Sequence, residues 1–298
     1  MADVAAGRRQ WLTGIAGVRR SFLFVALVAT VAVTLPALGG RHDASAALPV
    51  KEVRYGALTS QVAYIYESAS AGSPLVVLVH GGGFTGGSAL SQSVVAEATW
   101  LQDHGVTVVD VNYGLLAASE GSLASEVYDV VTAARWAESH GERYGANTLD
   151  LTLIGGSAGG TLVALAASSV HPRHVVELSA INNMHAEIDG LLRETKPSFA
   201  KALLGPALRS TLRCDELSAC STAAEARASP ITSPDTATSW LIAGSANDVL
   251  VPPSQALEMA SKIAARGGHA ELHIVAGSGH AFQLGSVLDQ MIVNFISS

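Results

Sequence analysis

An apolar run that breaks into Gly155-Gly156-Ser157-Ala158-Gly159-Gly160 and resumes as Thr161-Leu162-Val163-Ala164-Leu165-Ala166-Ala167 leaves this chain few ways to fold. Leu149 to Ile154 reads as a strand, and the residues after the glycines are good helix formers. A strand and a helix joined through G-x-S-x-G hold one serine on the tip of a sharp turn. Gly155 and Gly159 leave room where side chains at the flanks would collide. The N-terminal N–H groups of the helix point at the same spot, where negative charge can develop. A Gly-rich connection with no chemical role is the plain alternative. Partner residues further along the chain decide between the two.

A serine hydroxyl is a poor nucleophile near neutral pH and needs a base, which in turn needs an orienting acid. After Ser157, the stretch Ile242 to Ser245 reads as a strand that runs into a turn carrying Asp248, with Val251-Pro252 behind it. Ile274-Val275 then leads into a Gly-rich loop carrying His280. Both candidates fall just past strand ends, as Ser157 does, on the edge where open α/β sheets bind ligands. His269 and His273 lie at or within a strand, so surface or packing roles suit them better. Asp248 is preferred to Asp215 and Asp235, which lie in inserted or turn-rich stretches, and its bland role would be turn formation.

A tetrahedral intermediate also needs N–H donors already in place. Leu75 to Val79 is a continuous apolar strand that runs straight into His80-Gly81-Gly82-Gly83-Phe84. The candidate oxyanion hole is the N–H groups of Gly82, Gly83 and Ala158, with His80 bracing the loop rather than reacting.

The four stretches His80–Phe84, Gly155–Gly160, Asp248-Val249-Leu250-Val251-Pro252 and Gly279-His280-Ala281-Phe282 together resemble the α/β-hydrolase esterases of the hormone-sensitive-lipase and feruloyl-esterase-like groups. Asp110-Val111-Asn112-Tyr113 and Ala134-Arg135-Trp136 are also similar to stretches of those enzymes. The resemblance runs from about Ala47 to the C-terminus and is weakest over 182–229. It implies a mostly parallel central sheet with helices on both faces and a helical cap insertion. It also implies a hydrolase for carboxylic esters, expected here to carry short to medium acyl chains, with Ser157 as nucleophile, His280 as base and Asp248 as its partner. Gly156 departs from the acidic residue or histidine that many members carry before the nucleophile.

The remaining elements follow in order. Val50–Arg54 and Gln61–Tyr66 alternate like an antiparallel pair, and Ser88 is placed to cap a helix reaching about His104. Val106–Val111 is a buried strand, Ser122–His140 has helical periodicity, and Val175–Leu178 is a short strand. From Asn182 to about Ser229, helical pieces broken by Pro197, Gly205 and Pro206 read as an insertion that caps the site, with a long surface excursion that touches no substrate as the alternative. Trp240–Ala243 resumes the sheet, followed by helix Pro253–Arg266, strand Glu271–Val275 and helix Ser286–Ile296.

Residues 1–46 read as an export segment outside the fold. Arg8-Arg9 and Arg19-Arg20 precede an uncharged apolar run from Phe22 to Leu38, and Ala44-Ser45-Ala46 offers a cleavage site before Ala47. Arg19-Arg20-Ser21-Phe22-Leu23 resembles a twin-arginine signal. A retained membrane anchor is the competing reading, because an apolar run of about 17 residues can span a thin bilayer. Residues 47–298 are then one large domain. In an exported chain, Cys214 and Cys220 fit a local disulfide, with two free buried thiols as the alternative.

Other functions find no support. The net charge of −7 and 5% aromatic content argue against a nucleic-acid partner. No phosphate loop, dinucleotide fingerprint or H-E-x-x-H occurs, so no cofactor or metal is expected, and His171-Pro172-Arg173-His174 reads as surface loop. The partner expected is a small-molecule ester. The same machinery also serves amides, as in peptidases and arylformamidases, or acyl transfer, and a hydrolase scaffold can serve binding alone. Oligomeric state is not legible.

Overall fold

A computed structural model describes residues 50–116 and 121–298. The leader read in residues 1–46 lies outside the described residues. Eight strands form one sheet in the order β1-β2-β4-β3-β5-β6-β7-β8. They are β1 (Lys51–Arg54), β2 (Val62–Tyr66), β3 (Ser73–Val79), β4 (Thr107–Val111), β5 (Ala146–Gly156), β6 (His174–Leu178), β7 (Ser239–Ser245) and β8 (His269–Val275). β2 runs antiparallel to β1 and β4, and every other neighbouring pair is parallel. The central strands are apolar along their whole length because they are covered twice: Leu75–Val79 and Leu151, Leu153 and Ile154 are buried on both faces.

Two cores flank the sheet. On one face, Val94, Ala98 and Leu101 of α1 (Gln92–Asp103) meet Leu288, Ile292 and Phe295 of α8 (Ser286–Ile296). On the other lie α2 (Leu123–His140), α3 (Ala158–Val170) and α7 (Ser254–Ala265), through residues such as Val130, Ala134, Leu162 and Met259. α2 starts where its sequence says it should: the Ser122 hydroxyl accepts the Ser125 N–H at 3.1 Å, and the Ser125 hydroxyl accepts the Ser122 N–H at 2.8 Å. Among the described residues, no helix is long and apolar enough to cross a membrane.

Two local expectations need correction. Ser88 does not cap α1; the cap position is Ser91, and the Ser88 hydroxyl instead accepts the Leu90 N–H at 3.1 Å in a turn ahead of the helix. Gly205 and Pro206 do not break the chain. They sit inside α5 (Phe199–Leu212), which follows α4 (Met184–Arg193). Burial of Leu204, Ala207, Leu208 and Leu212 holds α5 together across the N–H that Pro206 lacks. A short helix, α6 (Thr222–Arg227), completes this stretch, and Cys214 and Cys220 are joined between α5 and α6 with Cα atoms 5.1 Å apart.

The topology decides where a site can form. β3 has β4 on one side and β5 on the other, so successive connections leave the sheet in opposite directions. That reversal opens a crevice past the carboxyl ends of the strands. His80 follows β3, Ser157 follows β5, and the loops bearing Asp248 and His280 follow β7 and β8.

Candidate active site

The elbow is built by backbone crowding. Ser157 has φ 57° and ψ −123°, a conformation that L residues rarely adopt. Its N–H donates to the Leu178 carbonyl at 2.8 Å, and its carbonyl accepts the Thr161 N–H at 3.2 Å. A Cβ on Gly159 would lie 2.2 Å from the Val79 oxygen and 2.5 Å from the His80 oxygen. The first turn of α3 is therefore pressed against the end of β3, which joins the serine tip to the His80 loop.

The loop itself needs glycine at Gly82. Its φ is +125°, and a Cβ there would lie 2.2 Å from the Gly86 oxygen. The Gly86 N–H closes the turn on the Gly82 carbonyl at 3.0 Å. Among the described residues, the N–H groups of Gly82, Gly83 and Ala158 donate to no protein acceptor. His80 is buried beneath the loop; its Nδ1 lies 2.7 Å from the Gly81 oxygen and its ring stacks on Tyr113 at 4.3 Å. The Tyr113 hydroxyl donates to the His80 carbonyl at 3.0 Å. Burial pushes the His80 imidazole down to about 4, so it stays neutral near pH 7 and Nδ1 carries the proton that Gly81 accepts. It braces the loop.

His280 and Asp248 are in direct contact. His280 Nδ1 is 2.7 Å from Asp248 Oδ2, and the carboxylate is almost wholly buried. Asp248 Oδ1 accepts the N–H groups of Leu250 at 2.9 Å and Val251 at 3.2 Å. Burial alone would raise this carboxyl, but the bond from His280 and the two backbone donors outweigh it and hold the group below its usual range. Ser157 and His280 line the same cavity, and in this structure His280 is hydrogen-bonded to Asp248 and not to Ser157. Such contacts are commonly long without substrate and tighten when it binds.

Two anchors on either side of His280 were not legible in the sequence. The Ser245 hydroxyl donates to the Gly279 carbonyl at 2.7 Å, and the Ser179 hydroxyl accepts the Ala281 N–H at 3.2 Å. Ser245 ends β7 and Ser179 is the first residue past β6, and that position is the only signal they carry. Gly156 also acquires a reason: a Cβ there would lie 2.8 Å from Ala281 Cβ and 2.8 Å from Phe282 Cε2. The residues after His280 occupy the space that a larger residue before Ser157 would need.

The segment after β6 is tied to the Asp248 side by Gln255. Its side-chain oxygen accepts the N–H groups of Asn182 at 2.9 Å and Asn183 at 2.7 Å, and its nitrogen donates to Glu187 Oε2 at 3.1 Å. Burial pushes Glu187 up to about 7, against the Gln255 bond and with repulsion from Asp248 and Glu194. Beyond this tie, α5 walls the cavity with Leu203, Leu204 and Ala207. Leu250 is also apolar there, while Thr85, Ser91 and Ser93 present hydroxyl-bearing side chains. The cavity measures about 440 Å³.

The other histidines stand elsewhere. His171 pairs with Asp235 at 3.0 Å on the surface, and His174 is buried in β6 against Phe295. His269 is exposed, and His273 lies 3.6 Å from Glu271. Among the described residues, no three His, Cys, Asp or Glu side chains cluster as a metal ion would require.

The fold that carries these residues agrees with what comparison with known families finds. Residues 76–284 match the model of the alpha/beta hydrolase fold. This chain belongs to the alpha/beta hydrolase fold family. Within that family it is similar to carboxylesterase 3 from Pongo abelii, 36% identical over 104 residues, or 33% of this chain and 18% of that protein. It is similar to esterase LipI from Mycobacterium tuberculosis, 34% identical over 102 residues, or 32% of this chain and 29% of that protein. The matched stretches thus span less than a third of either relative. Among solved structures, a truncated carbohydrate esterase from gut microbiota superposes with a TM-score of 0.69 at 19% identity, covering 83% of this chain and 94% of that one. At that identity the likeness speaks for the hydrolase fold alone.

Proposed function

We propose that this alpha/beta hydrolase cleaves carboxylic esters, with Ser157 as nucleophile. The observation that carries the reading is Ser157 held at φ 57° on a cavity it shares with His280, itself 2.7 Å from a buried Asp248. Ser157 Oγ attacks the acyl carbon while His280 Nε2 takes its proton, and Asp248 steadies the imidazolium through Nδ1. Negative charge on the carbonyl oxygen falls among the N–H groups of Gly82, Gly83 and Ala158, which have no competing protein acceptor among the described residues. The proton moves from His280 to the departing alcohol. Water then attacks the acyl-serine by the same route and releases the acid. A cavity of about 440 Å³ walled by Leu203, Leu204 and Ala207 favours short to medium acyl chains. Export is part of the proposal, supported by the leader-like residues 1–46 and by a disulfide suited to an oxidising compartment.

Hydrolysis of nitrophenyl esters from acetate to palmitate by the full chain tests this, with Ser157→Ala alongside. The expected result is activity that declines beyond medium chains and falls by about a millionfold in Ser157→Ala. Folded protein inactive on every ester would overturn the ester reading and move weight to amides, acyl transfer or binding.

A further inference from the structure

A second cavity of about 550 Å³ lies away from Ser157 and shares no lining residue with the first. α5 separates the two: Leu203, Leu204 and Ala207 near its start and middle face the first cavity, while Thr211 and Leu212 at its end face the second. The wall of the second is apolar, from Leu123 and Val127 of α2, Leu165 of α3 and Leu212. Two arginines, Arg213 and Arg227, also line it. Both side chains are on the exposed side of the chain, and among the described residues neither pairs with a carboxylate. Among the described residues, the one hydrogen-bond contact of the Arg213 guanidinium is a long one, 3.5 Å to the Gly121 carbonyl.

We propose that this cavity binds an alkyl carboxylate, with the chain between α2, α3 and α5 and the head group on Arg213 and Arg227. An apolar cleft of a few hundred cubic ångströms with a small number of convergent polar groups is the usual form of a small-molecule site. Arginine is suited to the head group because its planar fork matches a carboxylate with two parallel bonds. A neutral alcohol of equal chain length gains only the apolar wall, so the two guanidinium groups set selectivity for the acid. The inference stands apart from ester cleavage, because it uses no residue of the Ser157 cavity.

The test is calorimetric titration of the full chain with sodium decanoate, below its micelle concentration, beside decanol. One site is expected, weakened about tenfold or more in the double variant Arg213→Gln, Arg227→Gln. Decanol is expected to bind more weakly than decanoate and to be indifferent to that change. Leu165→Trp, which fills the wall, is expected to weaken both, with the circular dichroism spectrum checking that it folds. Covalent blocking of Ser157 is expected to leave decanoate binding in place. Unchanged decanoate affinity in the arginine double variant would overturn the proposal. Loss of binding on blocking Ser157 would also overturn it, since it would put the acid in the first cavity.

Discussion

The elbow around Ser157 and the helical stretch between β6 and β7 meet at one cavity, yet they are held by different physics. At the elbow, backbone packs on backbone: Cβ atoms placed on Gly155 and Gly159 would come within 2.3 Å and 2.2 Å of main-chain oxygens. No rotamer can relieve such a contact, so sequence and geometry there are bound together. Over α4 to α6, side chains pack on side chains. Gly190 has open space around it, and the nearest atom a Cβ on Gly205 would meet is 3.8 Å away. The first region can hold a reacting atom within a fraction of an ångström. The second can change its wall residues while keeping its fold, which suits a surface that selects substrates.

The hardest break in that contrast is Gly159→Val. It forces a side chain into the Val79 and His80 carbonyls, and the cost is expected to exceed about 4 kcal/mol. Loss of the soluble, cooperatively melting protein is the expected readout, whereas Gly190→Ala, in open space, is expected to melt normally. Asp248→Asn keeps the shape but loses the charge and the hydrogen-bond sense that His280 needs. Ester turnover is expected to drop about ten-thousandfold with the melting curve little changed. Ala207→Leu narrows the cavity from the adaptable side. Selectivity between butyrate and octanoate esters is expected to move by about ten- to a hundredfold, with acetate hydrolysis largely kept.

A smaller effect comes from buried carboxyls. Burial pushes Glu97, Glu126 and Glu177 up to about 8 from 4.5, and raises Asp110 well above its usual range. The folded chain therefore keeps protons that the unfolded chain releases near 4.5. Stability from this source is full below that pH, is lost as pH climbs towards 8, and is flat beyond. Asp248 acts with the opposite sign: its pKa is lowered on folding, so its contribution is lost only as pH falls into the acid range. The melting temperature is expected to fall between pH 5 and pH 8, and Glu177→Gln is expected to flatten the slope. The smallest effect is Cys214→Ser, which opens a loop closed over a separation of 6 residues and is expected to cost about 2 kcal/mol or less.

The same contrast explains what the sequence made legible. Ser157, Asp248 and His280 could be picked out because each follows an apolar strand and sits among residues that force a turn. The sheet was legible for a similar reason: strands covered on both faces read as unbroken apolar runs. Ser88 misled because a serine near a helix start can serve a turn as readily as a cap. Pro206 misled because tertiary burial of Leu204 and Leu208 overrode a local penalty. Ser179 and Ser245 carried no signal beyond their place at strand ends, and Gln255 none, since their roles depend on strands and helices distant in the chain. Arg213 and Arg227 likewise share a cavity with apolar residues from helices distant in the chain.

The central claim is that the strained tip between β5 and α3 carries the reacting oxygen. Its most direct test is to treat the full chain with a diethyl phosphoryl nitrophenyl ester, which phosphorylates an activated serine, and to map the adduct by peptide mass spectrometry. The account predicts one adduct, on Ser157, formed rapidly in the native chain and slowly in Asp248→Asn. A single adduct on another residue, or an unmodified Ser157 in folded protein, would contradict it.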